Sequence, residues 1–272
     1  MLQNLHTHTT YCDGKNTARE MIEAAISLGF DSLGFSSHAP TASRTDWEMS
    51  DAALADYIKN VSALKDEYKG RIDVLRGIEL DYYSKGLIDP KDFDYSIGSV
   101  HMAFKNGVQI DFDHAYDIAK RNIDELFNGD WLAYARIYYE TLADIPNVLD
   151  FDFVGHFDVL TKFSEKHPDL IDVESKEYKD VALTALHALR EKKEFFEVNT
   201  GAISRGHKTM AYPAPFILDE MKAIDCKLIL TSDCHAVSGI DCGFNEAREY
   251  IRSHGFDTLY NLTAGGFKGE KI

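Results

Sequence analysis

Residues 227–235 read KLILTSDCH, an apolar, β-branched run that ends in Asp233 and His235. Because alternate residues of a strand point to the same side, these two side chains can face one ion. Five further apolar runs carry a histidine or a carboxylate at the same end, namely His6 and His8, His38, Glu79, His101 and His156. Six strand patterns that end alike indicate a shared function for their carboxyl ends.

Helical patterns alternate with these strands along the chain. They are predicted over residues 17–28, 51–68, 175–192, 213–224 and 245–254, with two segments between 114 and 145. Seven strand–helix units without a Pro/Ser-rich linker predict one α/β domain over residues 1–272 with a parallel sheet. A TIM-like (β/α)7 barrel is the economical architecture, because a closed barrel gathers all carboxyl ends on one face. An open doubly wound sheet is the alternative, and it would leave distant strand ends apart.

The composition restricts the partners and the compartment. The 272 residues include 45 acidic and 29 basic side chains, a formal net charge of −16, so nucleic acid and anionic membranes are not expected as partners. No apolar run approaches the roughly 18 residues of a membrane span, and no signal peptide is recognisable, so we expect a cytoplasmic protein. The four cysteines form no C-x-x-C pair and are expected to be reduced thiols. The sequence indicates no oligomeric state.

Nine side chains form a predicted ligand set for metal ions: His6, His8, Asp13, His38, Glu79, His101, His156, Asp233 and His235. Taken singly, each residue could have an ordinary structural role, such as a turn residue in the case of Asp13. Their joint position at strand ends favours metal binding instead. Imidazole and carboxylate donors suit Zn, Fe or Mn. A catalytic zinc ion uses about three protein ligands, so nine ligands with a bridging Glu79 fit three divalent ions. Three divalent ions would carry more positive charge than the three carboxylates neutralise, and the excess suits a phosphate monoester dianion.

Four further residues are candidates for substrate contacts. Arg205 and His207 follow the sixth strand in a loop at the ligand face, and the planar fork of an arginine suits a phosphate oxyanion. Arg44, in the loop after His38, is a second candidate for the phosphate. Asp158 is expected either to orient a ligand from behind or to meet a substrate ammonium group. The remaining histidines are predicted to be structural, including His114, His167, His187 and His254.

The ordered motifs HTH (6–8), SSH (36–38), GIE (77–79), GSVH (98–101), GHFD (155–158) and SDCH (232–235) resemble those of the polymerase and histidinol phosphatase (PHP) family. The resemblance extends over about residues 4–240. The chain length and the loop NTGAISRGH (199–207) are similar to the stand-alone histidinol-phosphatase branch. The resemblance implies a distorted seven-unit β/α barrel with a trinuclear metal site.

The resemblance also implies how the ligand set is divided among three ions. One ion would be held by His6, His8, Glu79 and Asp233, a second by Glu79, His101 and His156, and a third by Asp13, His38 and His235. Some family members have a histidine where this chain has Asp13, which makes the third site more anionic here. Asp233, Glu79 and His235 are the predicted catalytic residues, and Asp233 or a nearby histidine would protonate the leaving alkoxide.

The implied reaction is hydrolysis of L-histidinol phosphate to L-histidinol and phosphate in histidine biosynthesis, by a metal-bridging hydroxide that attacks phosphorus. A broader PHP phosphoesterase or a nuclease acting on 3′ ends is one alternative. Metal-dependent deamination or amide hydrolysis is another, although no strand-end lysine is available as a bridging carbamate. A non-catalytic metal-binding module is the alternative from a different class. The expected partner is a small-molecule phosphate monoester.

Overall fold

The computed structural model describes all 272 residues and contains eleven strands. They are β1 (Gln3–Asn4), β2 (Ser32–Phe35), β3 (Asp73–Asp81), β4 (Tyr95–Ser99), β5 (Met102–Lys105), β6 (Val108–Asp111), β7 (Phe153–Val154), β8 (Phe195–Asn199), β9 (Lys227–Thr231), β10 (Thr258–Thr263) and β11 (Gly266–Lys271). Seven of them form one parallel sheet in the order β1-β2-β3-β4-β7-β8-β9. The two remaining pairs, β5–β6 and β10–β11, are antiparallel hairpins.

The parallel sheet curls until its two edges meet. Beyond β1 and β9, the backbone N–H of His8 donates to the carbonyl of Cys234 at 2.9 Å, and Thr7 and Cys234 form a parallel bridge. The predicted α/β barrel of seven parallel strands is therefore confirmed, and the open doubly wound alternative is wrong. Closure places all seven carboxyl ends around one rim.

Eight α-helices connect the strands: α1 (Ala18–Ser27), α2 (Asp51–Glu67), α3 (Tyr116–Arg121), α4 (Trp131–Val148), α5 (Lys176–Arg190), α6 (Gly201–Ser204), α7 (Pro215–Ala223) and α8 (Phe244–Ser253). The start of α1 is fixed by a capping box, in which the Thr17 side chain accepts from the Glu20 N–H and Glu20 accepts from the Thr17 N–H.

No helix is both long and apolar enough to span a bilayer.

The interior of the barrel is filled at its amino end by apolar side chains. Leu5, Tyr95, Ile97, Phe153 and Ile229 form a buried cluster there. The hairpin β10–β11 covers this cluster, and Phe267 packs on Phe195, the first residue of β8, with ring centroids 4.5 Å apart. The amino end is therefore closed, and the barrel opens at the carboxyl ends of its strands.

Two hairpins lie outside the predicted strand–helix units. They are β5–β6 over residues 102–111 and β10–β11 over residues 258–271. Several predicted strands also end earlier than their motifs. His38 and His156, for example, lie in the loops just beyond β2 and β7. These loops still project from the rim, so the side chains remain close to one another.

Candidate metal centre

The nine side chains of the ligand set converge at the rim of the barrel. Their donor atoms fall into overlapping groups in which every atom lies within 4.8 Å of the others: His8, Asp13, His38 and His235; His6, His8 and Glu79; His6, His156 and Asp233; and His38, Glu79 and His101. The structure thus brings together every residue that the sequence predicts as a metal ligand. It also places His8 beside the three residues expected to form the third site.

Glu79 lies at the centre of the ligand set and is 1% exposed. Its Oε2 faces ring nitrogens of His38 at 2.9 Å, His6 at 3.2 Å and His8 at 3.5 Å. Its Oε1 faces Nε2 of His156 at 3.0 Å and Nε2 of His101 at 3.4 Å. The two oxygens therefore serve two different groups of imidazoles, which is the geometry that a bridging carboxylate requires.

Two further carboxylates flank Glu79. Asp233 Oδ1 lies 3.1 Å from His8 Nε2 and 3.6 Å from His6 Nε2. On the outer side, Asp13 Oδ2 lies 3.2 Å from His235 Nε2, and Asp13 Oδ1 lies 3.8 Å from His38 Nε2. Each carboxylate thus faces at least two imidazoles.

The electrostatics of this cluster favour ionised carboxylates. Burial alone would raise the pKa of Glu79, but the nearby imidazoles of His6 and His38 outweigh it and hold that pKa well below its usual range. Burial, reinforced by the neighbouring His235 and His38, lowers the pKa of His8 to about 3. His8 is therefore a neutral imidazole, the form that coordinates a metal ion.

Several polar atoms of the cluster fit a metal ion better than a hydrogen bond. His6 Nε2, His8 Nε2 and Glu79 Oε2 are buried, lie in one group and have no hydrogen-bond partner. Burial of an unpaired polar atom costs free energy, and a bound cation would satisfy all three of these atoms. Six imidazoles and three carboxylates, without a thiolate among them, suit a divalent transition metal such as Zn, Fe or Mn.

Asp233 adopts a backbone conformation that few residues other than glycine tolerate. Its φ is 46°, in the left-handed region, just after β9 ends. Arg205 holds it there, because Nη1 donates to the Asp233 carbonyl at 3.0 Å and Nη2 to Asp233 Oδ2 at 3.0 Å. Strain of this kind is typical of functional sites, where the surrounding contacts enforce an unfavourable conformation.

A cavity of about 650 Å³ opens directly above the ligand set. Six of the nine predicted ligands line it, whereas His6, His8 and Glu79 lie beneath its floor. The cationic side chains of Lys15, Lys162 and Arg205 also line the cavity, together with His114 and His207. The cavity therefore offers both metal ligands and cationic side chains for an anionic ligand.

The four predicted substrate residues divide into two pairs. Arg205 and His207 line the cavity. Arg44 is not brought to it, because its guanidinium turns away and pairs with Asp51 at 2.8 Å, at the start of α2. Asp158 is fully buried behind the cavity, where its Oδ2 accepts from the Ala214 N–H at 3.0 Å. The expectations that Arg44 binds the phosphate and that Asp158 meets the ammonium group need correction accordingly, whereas orientation of a ligand from behind by Asp158 stays a prediction.

Other residues around the cavity were missed in the sequence. His114, interpreted as structural, lines the cavity with Asp111 and Asp113, and Lys162 donates to the Asp113 carbonyl at 2.7 Å. Trp47 packs against the His38 and His101 rings, with centroids 4.8 Å and 5.2 Å away. The concentration of acidic and histidine side chains in IDFDH (110–114) was the available signal. No comparable sequence pattern indicated that Trp47 lies at the cavity.

Comparison with known proteins gives a consistent result. A family model described as "PHP domain" matches residues 4–201, more than half of the chain. The chain is 29% identical over 263 residues to a Deinococcus radiodurans protein named "Probable histidinol-phosphatase", covering 93% of this chain and 94% of that protein. It is 26% identical over 254 residues to the histidinol-phosphatase of Bacillus subtilis, covering 86% and 94%.

Solved structures show the same fold. The structure of histidinol phosphate phosphatase from Lactococcus lactis, complexed with zinc, L-histidinol and phosphate, matches with a TM-score of 0.72 at 19% identity and covers 98% of both chains. A structure of a candidate histidinol phosphatase from Listeria monocytogenes matches with a TM-score of 0.79 at 21% identity, covering 90% of this chain and 99% of that one. At these identities the likeness establishes the barrel architecture.

Proposed function

This chain belongs to the PHP family, and from that premise we propose that it is a metal-dependent phosphatase that hydrolyses L-histidinol phosphate to L-histidinol and phosphate. Its curated relatives named as histidinol-phosphatases cover most of its length, and the similar Lactococcus lactis structure holds zinc, L-histidinol and phosphate. The main support for the proposal is the ligand set beneath an open cavity whose lining includes Lys15, Lys162 and Arg205. A structural metal site is usually closed, so the open cavity also argues against a non-catalytic module.

We assign the ligand set to three divalent ions of zinc, iron or manganese. His6, His8, Glu79 and Asp233 would hold one, Glu79, His101 and His156 a second, and Asp13, His38 and His235 a third. Bound ions of this kind polarise phosphoryl oxygens, lower the pKa of a bound water and stabilise the leaving oxygen. Glu79 Oε2 faces His6 and His8 whereas Oε1 faces His101 and His156, which supports its role as the ligand shared by the first two sites.

The chain's own side chains would bind and orient the phosphate ester. Arg205, whose side chain is 26% exposed, lines the cavity and presents its guanidinium beside Asp233 and His235. Lys162 and His207 also line the cavity and add donors for phosphate oxygens. Asp233, Glu79 and His235 are the residues we assign to the reacting centre.

Carboxylates and an aromatic ring in the same cavity suit the organic half of the substrate. Asp46, Asp111 and Asp113 line it with Trp47, which offers an aromatic face. Carboxylates attract the ammonium group of an amino alcohol, and an indole packs against a flat heterocycle. Cationic and acidic side chains in one cavity thus match a substrate that carries both a phosphate and an amine.

The cytoplasmic location and the lack of nucleic-acid or membrane partners stay predictions from the sequence.

A substrate screen tests this proposal. Metal-loaded protein is assayed for phosphate release from L-histidinol phosphate, from phosphate esters without an amine, from nucleotides and from oligonucleotides. We expect the highest kcat/KM for L-histidinol phosphate, because it alone carries both a phosphate for the cationic side chains and an ammonium group for the carboxylates of the cavity. Faster hydrolysis of oligonucleotides or of simple esters would assign the site to a nuclease or to a broader phosphoesterase instead.

A further inference from the structure

β8 is the one strand of the barrel that contributes no member of the ligand set. Its buried carboxylate, Glu197, is 1% exposed and instead contacts residues around that set. The Glu197 side chain lies between His6, which follows β1, and His156, which follows β7. β8 therefore reaches the metal centre through a residue that was not predicted from the sequence.

Four donors converge on the Glu197 carboxylate. Oε1 accepts from Thr231 Oγ1 at 2.5 Å and lies 2.6 Å from His6 Nδ1. Oε2 accepts from the backbone N–H of His156 at 2.6 Å and from Asn199 Nδ2 at 2.9 Å. An ionised carboxylate only accepts hydrogen bonds, so this environment is matched to it at all four positions.

The donors on the Oε2 side cannot reverse their roles. A backbone N–H such as that of His156 can only donate. The Asn199 amide is fixed in orientation, because its Oδ1 accepts from the Gly201 N–H at 2.8 Å and its Nδ2 is left to face Glu197. Any group at position 197 must therefore present an acceptor on this side.

We infer that Glu197 is a positioning residue that holds His6 with its proton on Nδ1 and so leaves a lone pair on Nε2 for a metal ion. His6 Nε2 is buried, has no hydrogen-bond partner and lies 3.2 Å from Glu79 Oε2 and 3.6 Å from Asp233 Oδ1. A hydrogen bond to one ring nitrogen selects which nitrogen can coordinate. The inference rests on the metal centre of the proposed function.

Glu197→Gln separates this role from simple packing, because glutamine has nearly the same shape. Its carbonyl must face His156 and Asn199, so its NH₂ group points at Thr231 and His6. The Thr231 hydroxyl can accept, but His6 can accept only through Nδ1, which places its proton on Nε2. A metal ion can then bind His6 Nε2 only if the hydrogen bond from the glutamine amide of the variant to His6 Nδ1 is broken. We expect zinc affinity to fall about 10–100-fold.

Zinc affinity is measured without substrate, by competition with a chromophoric chelator, and Thr231→Val is the matched control. This control removes the other donor to Oε1 at nearly constant volume and leaves the His6 contact intact, so we expect close to wild-type affinity. Wild-type affinity in Glu197→Gln, or an equal loss in Thr231→Val, would overturn the positioning role. Absence of zinc binding in the wild-type protein would overturn the metal centre itself.

A second measurement does not depend on the folding of a variant. Zinc-loaded wild-type protein labelled with ¹⁵N-histidine reports which ring nitrogen carries the proton. We expect His6 to show a protonated Nδ1 and a metal-bound Nε2. The opposite pattern, with zinc on Nδ1 and the proton on Nε2, would contradict the inference.

Discussion

At the amino end of the barrel, Phe267 and Phe195 pack over a cluster of apolar side chains, whereas at the carboxyl end the same strands lead into buried imidazoles and carboxylates. Apolar burial at the first end stabilises the fold. Polar burial at the second end costs free energy, and several atoms there have no hydrogen-bond partner. Stability and activity therefore depend on opposite ends of one barrel. Substitutions at the amino end should mainly lower stability, and substitutions at the carboxyl end should mainly lower activity.

The largest effect is expected from Glu79→Gln at the carboxyl end. Loss of a shared ligand should lower metal content and reduce kcat/KM by about 10³-fold, since metal stabilisation of charge amounts to several kcal/mol. Elemental analysis and steady-state kinetics measure the two quantities. Glu194→Gln, which changes an exposed carboxylate before β8 at the opposite end, is the control. Unchanged metal stoichiometry in Glu79→Gln would remove the bridging role from Glu79.

An intermediate effect is expected from Phe267→Ala at the amino end. The ring is partly buried, so its loss should reduce the free energy of unfolding by about 2–3 kcal/mol, below the range for a fully buried phenylalanine. Denaturant unfolding measures the change. The kcat of the remaining folded protein should equal that of wild type. If fully folded Phe267→Ala had a much lower kcat than wild type, the two ends of the barrel would not be independent.

Arg205→Ala should give a smaller effect on activity. The substitution removes a charged hydrogen-bond donor to phosphate and the contacts that hold Asp233. The loss of transition-state stabilisation should be about 2 kcal/mol, which lowers kcat/KM roughly thirtyfold. Arg44→Ala is the matched control, because Arg44 pairs with Asp51 away from the cavity, and its kinetics should match wild type. Equal effects of the two substitutions would exclude a specific role of Arg205.

The same comparison explains what could be predicted from the sequence. Ligands at the carboxyl end are recognisable because each follows an apolar strand pattern, and the barrel brings such positions together whatever their separation in sequence. The amino end has no such signal. β11, GFKGEK, is mostly polar, and its role depends on Phe267 reaching a cluster formed by distant strands.

The errors at the site have physical reasons as well. Arg44 has the right charge for a phosphate, but the path of its loop, with Arg44 itself at a φ of 54°, directs it to Asp51. Glu197 was missed because its contacts to His6 and Thr231 depend on the closure of the barrel and the register of β8 against β9. The hairpin β5–β6 did have a signal, since Asn106-Gly107 is a typical two-residue turn with both φ values positive.

The most direct test of the account is anomalous diffraction from crystals of the zinc-reconstituted protein. We expect three anomalous peaks within the ligand set, with Glu79 contacting two of them. Fewer peaks within the set, or zinc bound only elsewhere on the protein, would contradict the assignment of these nine side chains to a trinuclear metal centre.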